Sequence, residues 1–279
     1  MKSFSIRELK SNEMLSALRI SYCAFNRDIP DDVGEEVKLL NDLIAHNIAS
    51  FLIAECESEL CGIGALFNFG EISTIGYMGV LPPYRSQGFG TRIFTELFEK
   101  ALQNNAKSIV LYASELGRPI YRKFGFTPSF QAQKFTLSLP IVENELNTSD
   151  LEVLYSIPPW IAKLDQEVMG FDRRKYLNIL IKHGSRFLSF KQKGFALISK
   201  TRVGPVIADS SELALKFIQK SGQMGGNNLI IPKHEYFSEQ MVKNLGLQKI
   251  KNSNVKMTYG QSVNQNLKKL FVIGTYAKL

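Results

Sequence analysis

Residues 72–91 read ISTIGYMGVLPPYRSQGFGT, and the interpretation of the whole chain begins there. The segment from Ile72 to Val80 is apolar and rich in β-branched residues, which favours a strand. Pro82 and Pro83 end it, because proline donates no hydrogen bond to a sheet ladder. From about residue 88 onward the apolar residues recur at helical spacing. This sequence therefore predicts a strand, a glycine-bearing turn and a helix.

The turn carries the pattern Arg-x-x-Gly-x-Gly, from Arg85 to Gly90. Glycines let a backbone approach a ligand closely, and the unpaired N–H groups and positive dipole at a helix start favour a phosphate. The pattern lacks the Gly-Lys-Ser/Thr ending of a nucleoside-triphosphate loop, and no acidic residue follows at about 20 positions, as a dinucleotide site requires. Taken alone, the pattern is equally compatible with an ordinary tight turn into a helix.

A second motif lies downstream of a short apolar strand at 109–113 and reads YRKFGF at 121–126. Together, Val-x(4)-Arg-x-x-Gly-x-Gly at 80–90 and Tyr-x-Lys-x-Gly-Phe at 121–126 resemble the motifs of the GCN5-related N-acetyltransferase (GNAT) superfamily. The resemblance covers roughly residues 4–137. It implies an α/β fold with a mixed sheet and an acyltransferase that uses acetyl-CoA.

The resemblance also implies roles for particular residues. Backbone groups of Met78 and Val80 would bond the pantetheine arm and polarise the thioester carbonyl, although ordinary strand packing is the alternative and Gly79 between them suits a bulge. The pyrophosphate would be held by Arg85, Ser86, Gln87, Gly88, Phe89, Gly90 and Thr91.

Tyr121 resembles the residue that meets the leaving sulfur of coenzyme A. A phenol with a pKa of about 10 would give its proton to a thiolate of about 8.5 at a cost of roughly 2 kcal/mol. Hydrogen bonding to the developing thiolate is therefore the larger expected effect. Simple packing of this tyrosine on a short helix is the alternative.

The second half of the chain resembles a degenerate copy of the same fold. Residues 140–150 are polar and without periodicity, so we predict domains at 1–140 and 151–279. No Arg-x-x-Gly-x-Gly follows Val206, and Val242 stands where the first copy has Tyr121. The predicted architecture is two tandem GNAT-like domains, the second of them degenerate. Asp172 and Arg173 are predicted either to contact substrate across the domain interface or, for Asp172, to cap the following helix.

The acceptor amine must lose a proton before it attacks, yet no single residue identifies itself as the base. Several acidic residues precede the second predicted helix and either complement its dipole or face a cationic acceptor. The candidate bases that the sequence leaves open are Asp28, Glu35, Glu36 and His46.

Composition narrows the class of protein. The net charge is +8, and it comes from the second half: residues 141–279 carry 20 Lys/Arg and 11 Asp/Glu, against 14 and 15 in 1–140. These lysines form no dense cluster, so we expect no nucleic-acid ligand. No long apolar run and no apolar signal segment are present, which predicts a cytoplasmic protein without a membrane span. The three cysteines lack metal-ligand spacing, and we predict free thiols, with a redox pair of Cys56 and Cys61 as the alternative, and no metal site.

Two functions compete. The first is an acetyl-CoA-dependent N-acetyltransferase acting on a primary amine of a small molecule by direct attack in a ternary complex. The second is a non-catalytic acyl-CoA-binding regulatory module. The intact pyrophosphate motif beside Tyr121 favours the enzyme, and whether the chain forms a homodimer stays open.

Overall fold

The structure is a computed structural model, and it describes residues 4–137, 146–233, 242 and 245–276. Contacts between residues divide the chain into two compact units, Met1–Leu111 and Tyr112–Ala277. None of the helices in the described ranges combines the length and the apolarity that crossing a membrane requires.

The first unit is a mixed sheet with helices, in which β4 and β5 run parallel and the other neighbouring strands run antiparallel, in the order β1-β2-β3-β4-β5. Its elements are β1 (Phe4–Glu8), α1 (Met14–Ala24), α2 (Val33–Ala45), β2 (Ala49–Cys56), β3 (Glu59–Phe69), β4 (Ile72–Val80), α3 (Phe89–Gln103) and β5 (Ser108–Ala113).

The helix α3 lies unusually close to the sheet because β3 has glycines beneath it. A Cβ on Gly64 would lie 2.6 Å from Cγ2 of Ile93 and 2.7 Å from Cδ1 of Leu97. Both of these α3 side chains are fully buried. The backbone of β3 therefore substitutes for a side chain at this contact, and α3 packs close against β3.

The cysteines of β2 and β3 are not joined by a disulfide bond. Cys56 and Cys61 are buried free thiols, and Sγ of Cys61 donates to the carbonyl oxygen of Ala54 at 3.4 Å. Burial raises the pKa of Cys61 to about 11, so its sulfur is a thiol and a poor nucleophile at neutral pH.

The second unit is also built on a mixed sheet, in the order β12-β6-β11-β10-β9-β8-β7, with β13 paired to β10. Its elements are α4 (Arg118–Lys123), β6 (Thr127–Leu137), β7 (Glu152–Leu154), α5 (Pro159–Met169), α6 (Arg174–Lys182), β8 (Arg186–Phe190), β9 (Gly194–Ser199), β10 (Arg202–Ala208), α7 (Ser211–Gln223), β11 (Asn228–Pro232), β12 (Leu247–Gly260) and β13 (Leu270–Val272).

Strand β6 is bordered on both sides by strands from the C-terminal part of the chain. It pairs antiparallel with β12, from Leu137–Leu247 to Thr127–Thr258, and with β11 on its other edge. A strand near the end of the sequence thus completes the ladder of one near the middle. The predicted domain limits of 1–140 and 151–279 stay a prediction, and part of the predicted boundary, 138–145, lies outside the described residues.

Asp172 and Arg173 have partners within the second unit. The guanidinium of Arg173 is buried and donates to Asp165 twice, with Nε–Oδ2 at 3.0 Å and Nη2–Oδ1 at 2.6 Å. Oδ1 of Asp172 accepts the N–H of Arg174 at 2.9 Å, at the start of α6. Arg173 is the N-cap of α6 and makes no side-chain cap bond, so Asp172 accepts a first-turn N–H from one residue before the cap, and the bonds of Arg173 indicate a structural role.

The close contact between β3 and α3 leads to a stability prediction. Gly64→Ala should lower the free energy of unfolding by about 1–3 kcal/mol, because the new methyl overlaps Ile93 and Leu97 and forces them apart. The matched control is Gly34→Ala on α2, where a Cβ meets nothing within 4 Å and should stabilise by about 0.5 kcal/mol. Urea unfolding measures both, and equal midpoints for the two variants would contradict the packing argument.

Candidate active site

The ladder between β4 and β5 is short. Within the described residues the two strands pair from Ile72–Ser108 to Ile75–Leu111. β4 continues to Val80 with β3 as its partner. The main-chain groups of Met78 and Val80 on the β5 side therefore lie past the end of that ladder.

A β-bulge lies in this open part of β4. Ile63 pairs with Gly79 and Ala65 pairs with Gly76, so that two residues of β4, Tyr77 and Met78, stand opposite one residue of β3. The bulge is therefore not at Gly79, where the sequence suggested it. Gly79 has another reason to lack a side chain, since a Cβ there would lie 3.0 Å from Cβ of Ala24 on α1.

Tyr77 adopts a left-handed conformation, with φ of 54°. That region is unfavourable for an aromatic residue, and surrounding contacts must hold it. The ring packs against Phe51 and Phe67, with centroids 5.5 Å and 6.2 Å away. The hydroxyl donates to Oε1 of Glu36 at 2.8 Å. The ring contacts and this bond stabilise the bulge.

Glu36 joins three elements through one carboxylate. Its Oε2 accepts the hydroxyl of Tyr22 on α1 at 2.7 Å, while Oε1 accepts that of Tyr77 on β4. Hydrogen bonds to an ionised group are stronger than neutral ones. Glu36 was one of four open base candidates, and neither tyrosine was singled out from sequence. An acidic residue at a helix start gives no signal that two distant phenols will meet it.

The turn after β4 presents main chain to a ligand. Gly88 is the N-cap of α3 with φ of 85°, and a Cβ there would meet nothing within 4 Å. α3 has no side-chain cap and no acidic residue in its first turn. The first N–H groups of a helix have no intrahelical partner, so this helix start fits a phosphate.

Side chains of the turn stabilise its conformation by donating hydrogen bonds to main-chain oxygens. Arg85 donates through Nε to the carbonyl oxygen of Val80 at 3.1 Å and through Nη2 to that of Ala24 at 2.7 Å. Nε2 of Gln87 donates to the carbonyl oxygen of Pro83 at 3.0 Å. The guanidinium of Arg85 is thus engaged with main-chain oxygens.

Other predicted residues of the turn contribute backbone or packing. Phe89 is buried, with its ring 4.5 Å from that of Phe4 and 6.1 Å from that of Tyr84. Ser86 has φ of 60°, and a Cβ on Gly90 would lie 3.7 Å from Cγ2 of Val80. Phe89 thus contributes packing to the turn, and Ser86 and Gly90 contribute backbone conformation and close approach.

Tyr121 lies on α4 in the second unit. Its side chain is 8% exposed, and burial raises the pKa of its phenol. A Cβ on Gly117 would lie 2.8 Å from Cε2 of Tyr121 and 3.2 Å from its hydroxyl oxygen, so the ring lies directly on the glycine. Phe126 packs nearby, with centroids 6.2 Å apart. The phenol is a neutral hydrogen-bond donor in a fixed position.

The second unit repeats the strand–turn–helix arrangement with β10 and α7, but its helix start is closed. Oγ of Ser210 caps α7 by accepting the N–H of Leu213 at 3.2 Å. Glu212 places a negative charge in the first turn. The cap satisfies a donor that a phosphate would need, and the carboxylate repels an anion.

In the second unit, the edge that corresponds to the open edge of β4 is paired with another strand. Within the described residues, β10 pairs in parallel with β11 at Arg202 alone. Farther along, Val206 pairs with Val272 of β13, and the N–H of Ile273 donates to the carbonyl oxygen of Ile230 at 2.8 Å. β13 therefore occupies the place that stays open beside β4.

Comparison with known proteins agrees with these observations. Residues 47–128 match one family model described as an acetyltransferase (GNAT) domain, and residues 161–272 match a second with the same description. Together the two matches cover more than half of the chain.

Relatives that match most of the chain are also described as acetyltransferases or GNAT proteins. The chain is 24% identical over 244 residues to the uncharacterized N-acetyltransferase YitH of Bacillus subtilis, covering 77% of this chain and 78% of that protein. A crystal structure of a putative acetyltransferase from Pyrococcus horikoshii is 26% identical with a TM-score of 0.89, covering 99% of this chain and 95% of that one. A tandem GNAT protein from the clavulanic acid biosynthesis pathway has the same fold, with 13% identity, a TM-score of 0.63 and coverage of 93% and 100%.

The predicted fold is thereby confirmed as α/β with a mixed sheet and two tandem GNAT-like domains. The predicted acyltransferase class and the predicted acyl donor, acetyl-CoA, are confirmed with it, because GNAT domains use this donor. The chain belongs to the GNAT superfamily of N-acetyltransferases.

Proposed function

We propose that this acetyltransferase transfers the acetyl group of acetyl-CoA to a primary amine of a small molecule, by direct attack in a ternary complex. The observation that carries the proposal is the start of α3. Gly88 has no side chain that could accept from the first N–H groups of that helix. The preceding strand, β4, pairs with β5 only as far as Ile75. A diphosphate and a pantetheine arm are the groups that such neighbouring donors suit.

The pyrophosphate is assigned to the main chain of the turn. The residues of this segment are Arg85, Ser86, Gln87, Gly88, Phe89, Gly90 and Thr91. Arg85 also fixes the turn against β4 and α1, because its guanidinium holds the carbonyl oxygens of Val80 and Ala24. The N–H groups then need no rearrangement when the anion arrives, which lowers the cost of binding.

Met78 and Val80, on either side of Gly79, are assigned to the pantetheine arm and the thioester. The bulge at Tyr77 and Met78 turns the strand locally, and it therefore sets the direction of the Met78 amide. A main-chain donor aimed at the thioester oxygen stabilises the negative charge that develops there during attack.

Acetyl-CoA supplies an electrophilic carbonyl and a thiolate leaving group. A neutral amine forms a bond to the acetyl carbon as the carbon–sulfur bond breaks, and the amine then sheds a proton. Tyr121 donates a hydrogen bond to the departing sulfur, and its raised pKa keeps the proton on the phenol. The thiolate ends as a thiol, and its proton balances the one lost by the amine.

We assign the acceptor side to the acidic segment that precedes and begins α2, because its charge favours an amine that arrives as a cation. The carboxylates of the α1–α2 loop and the start of α2 are Asp28, Asp31, Asp32, Glu35 and Glu36. The proposal assigns them to attraction of the acceptor and leaves the proton to water or to one of the candidate bases, Asp28, Glu35, Glu36 and His46.

The reaction is tested by thiol release from acetyl-CoA with a panel of small primary amines. The wild-type protein should turn over at least one amine, and Tyr121→Phe should lower kcat roughly a hundredfold with little change in the KM for acetyl-CoA, because only the developing thiolate uses the hydroxyl. The control is Tyr176→Phe, a buried tyrosine on α6. Cofactor binding without turnover of any amine would favour the regulatory module, and full turnover in Tyr121→Phe would remove the role of that hydroxyl.

The bulge is tested by a pair of variants that each remove one bond from the same carboxylate. Tyr77→Phe keeps the ring contacts with Phe51 and Phe67 but loses the bond to Glu36, so we expect kcat to fall roughly tenfold as the Met78 amide loses its direction. Tyr22→Phe loses the other bond and should keep kcat within about twofold.

Both tyrosine variants should lose a similar free energy of unfolding, about 1 kcal/mol each, since each loses one hydrogen bond to Glu36. Steady-state kinetics together with urea unfolding separate the two effects. Equal values of kcat in the two variants would contradict a specific role of the Tyr77 bond in directing the Met78 amide.

A further inference from the structure

Lys256 on β12 is a buried cation. The residue is only 2% exposed, and its Nζ donates to Oε1 of Gln265 at 2.7 Å. Nζ also lies 5.4 Å from the centroid of the Phe130 ring. Burial lowers the pKa of Lys256 to about 8, so the ammonium form still dominates at neutral pH. Within the described residues no carboxylate forms an ion pair with it.

Two further donors, one packed against the same Phe130 ring and one on the side chain of Gln265, have no acceptor within the described residues. Tyr112, 8% exposed, lies against the same Phe130 ring with centroids 6.3 Å apart, and its hydroxyl has no hydrogen-bond partner in the described part of the chain. Nε2 of Gln265 is likewise buried without a partner there. The group that the ammonium does reach, Oε1 of Gln265, is neutral.

The neighbouring charged and hydroxyl groups are already engaged. The Arg173 guanidinium, whose charge acts on Tyr112, is neutralised by its two bonds to Asp165. The hydroxyl of Tyr276, packed 5.5 Å from the Tyr112 ring, donates to the carbonyl oxygen of Ala132. Neither supplies an acceptor to Lys256, Tyr112 or Gln265.

These three residues therefore present an ammonium, a phenol and an amide N–H, which are all donors. Burying such groups without acceptors is unfavourable, and folded proteins usually pair them. An anion with two oxygens satisfies several donors at once and compensates the charge. We propose that Lys256, Tyr112 and Gln265 form a binding site for the carboxylate of a small molecule, a site separate from the turn that precedes α3.

Thermal unfolding with sodium propionate, against sodium chloride at equal ionic strength, tests the site without requiring activity. Propionate should raise the midpoint of the wild-type protein by about 2–4 °C, because it binds the folded state alone. Propionamide, which has the same shape without the charge, should not. Lys256→Met should abolish the response, since it removes the cation and keeps an unbranched side chain of similar length.

Gln265→Glu is the second variant, and it decides the matter if Lys256→Met does not fold. It puts a carboxylate where Oε1 now lies 2.7 Å from Nζ. This internal anion should raise the midpoint in the absence of propionate and remove the response to propionate. A wild-type protein without a response, or a Gln265→Glu protein that responds as the wild type does, overturns the proposal.

Activity then distinguishes two sources of the carboxylate. If it belongs to the acyl acceptor, β-alanine should be preferred over propylamine in the wild type, and Lys256→Met should reduce that preference roughly tenfold or more. If it belongs to a separate ligand, propionate should change kcat/KM for propylamine in the wild type and not in Lys256→Met. This arm rests on the proposed function, whereas the thermal measurements do not.

Discussion

Within the described residues, no side chain caps the start of α3. A helix cannot pair its first N–H groups internally, and here Gly88 supplies no side chain to do so. The Gly64 contact holds α3 tightly on the sheet, and Arg85 fixes the preceding turn, so these donors stay where they are. In the function proposed above, an anion bound there would gain from a site that is already formed, and the acyl group it carries would reach the open edge of β4.

The bulge on β4 has its own support. Tyr77 holds an unfavourable conformation, and aromatic contacts together with the Glu36 carboxylate stabilise it. The same carboxylate reaches Tyr22, so α1, α2 and β4 share one anchor. In the second unit the corresponding helix start and strand edge are occupied by contacts within the chain. Ser210 closes the helix start, and β13 fills the open edge. Two copies of one fold thus differ in a cap and a strand.

Local patterns predicted the parts that depend on nearest neighbours. The strand ending at Val80, the helix after Gly88 and the loss of the motif after Val206 all follow from spacing and residue type. What the sequence did not predict depends on tertiary contacts. The bulge was placed at Gly79 because glycine tolerates it, whereas ring packing lets Tyr77 carry the left-handed angle. A lone lysine in a strand, Lys256, gave no sign of its burial.

We propose that each chain has one diphosphate site, built from the main chain at the start of α3. Calorimetric titration of the folded protein with acetyl-CoA measures the number of such sites. We expect one bound molecule per chain, no heat for Gly88→Glu, whose carboxylate would occupy the helix start, and unchanged binding for Gly70→Glu, an equally left-handed and open glycine in the β3–β4 turn. Absence of binding to the wild type, two molecules per chain, or normal binding to Gly88→Glu would contradict it.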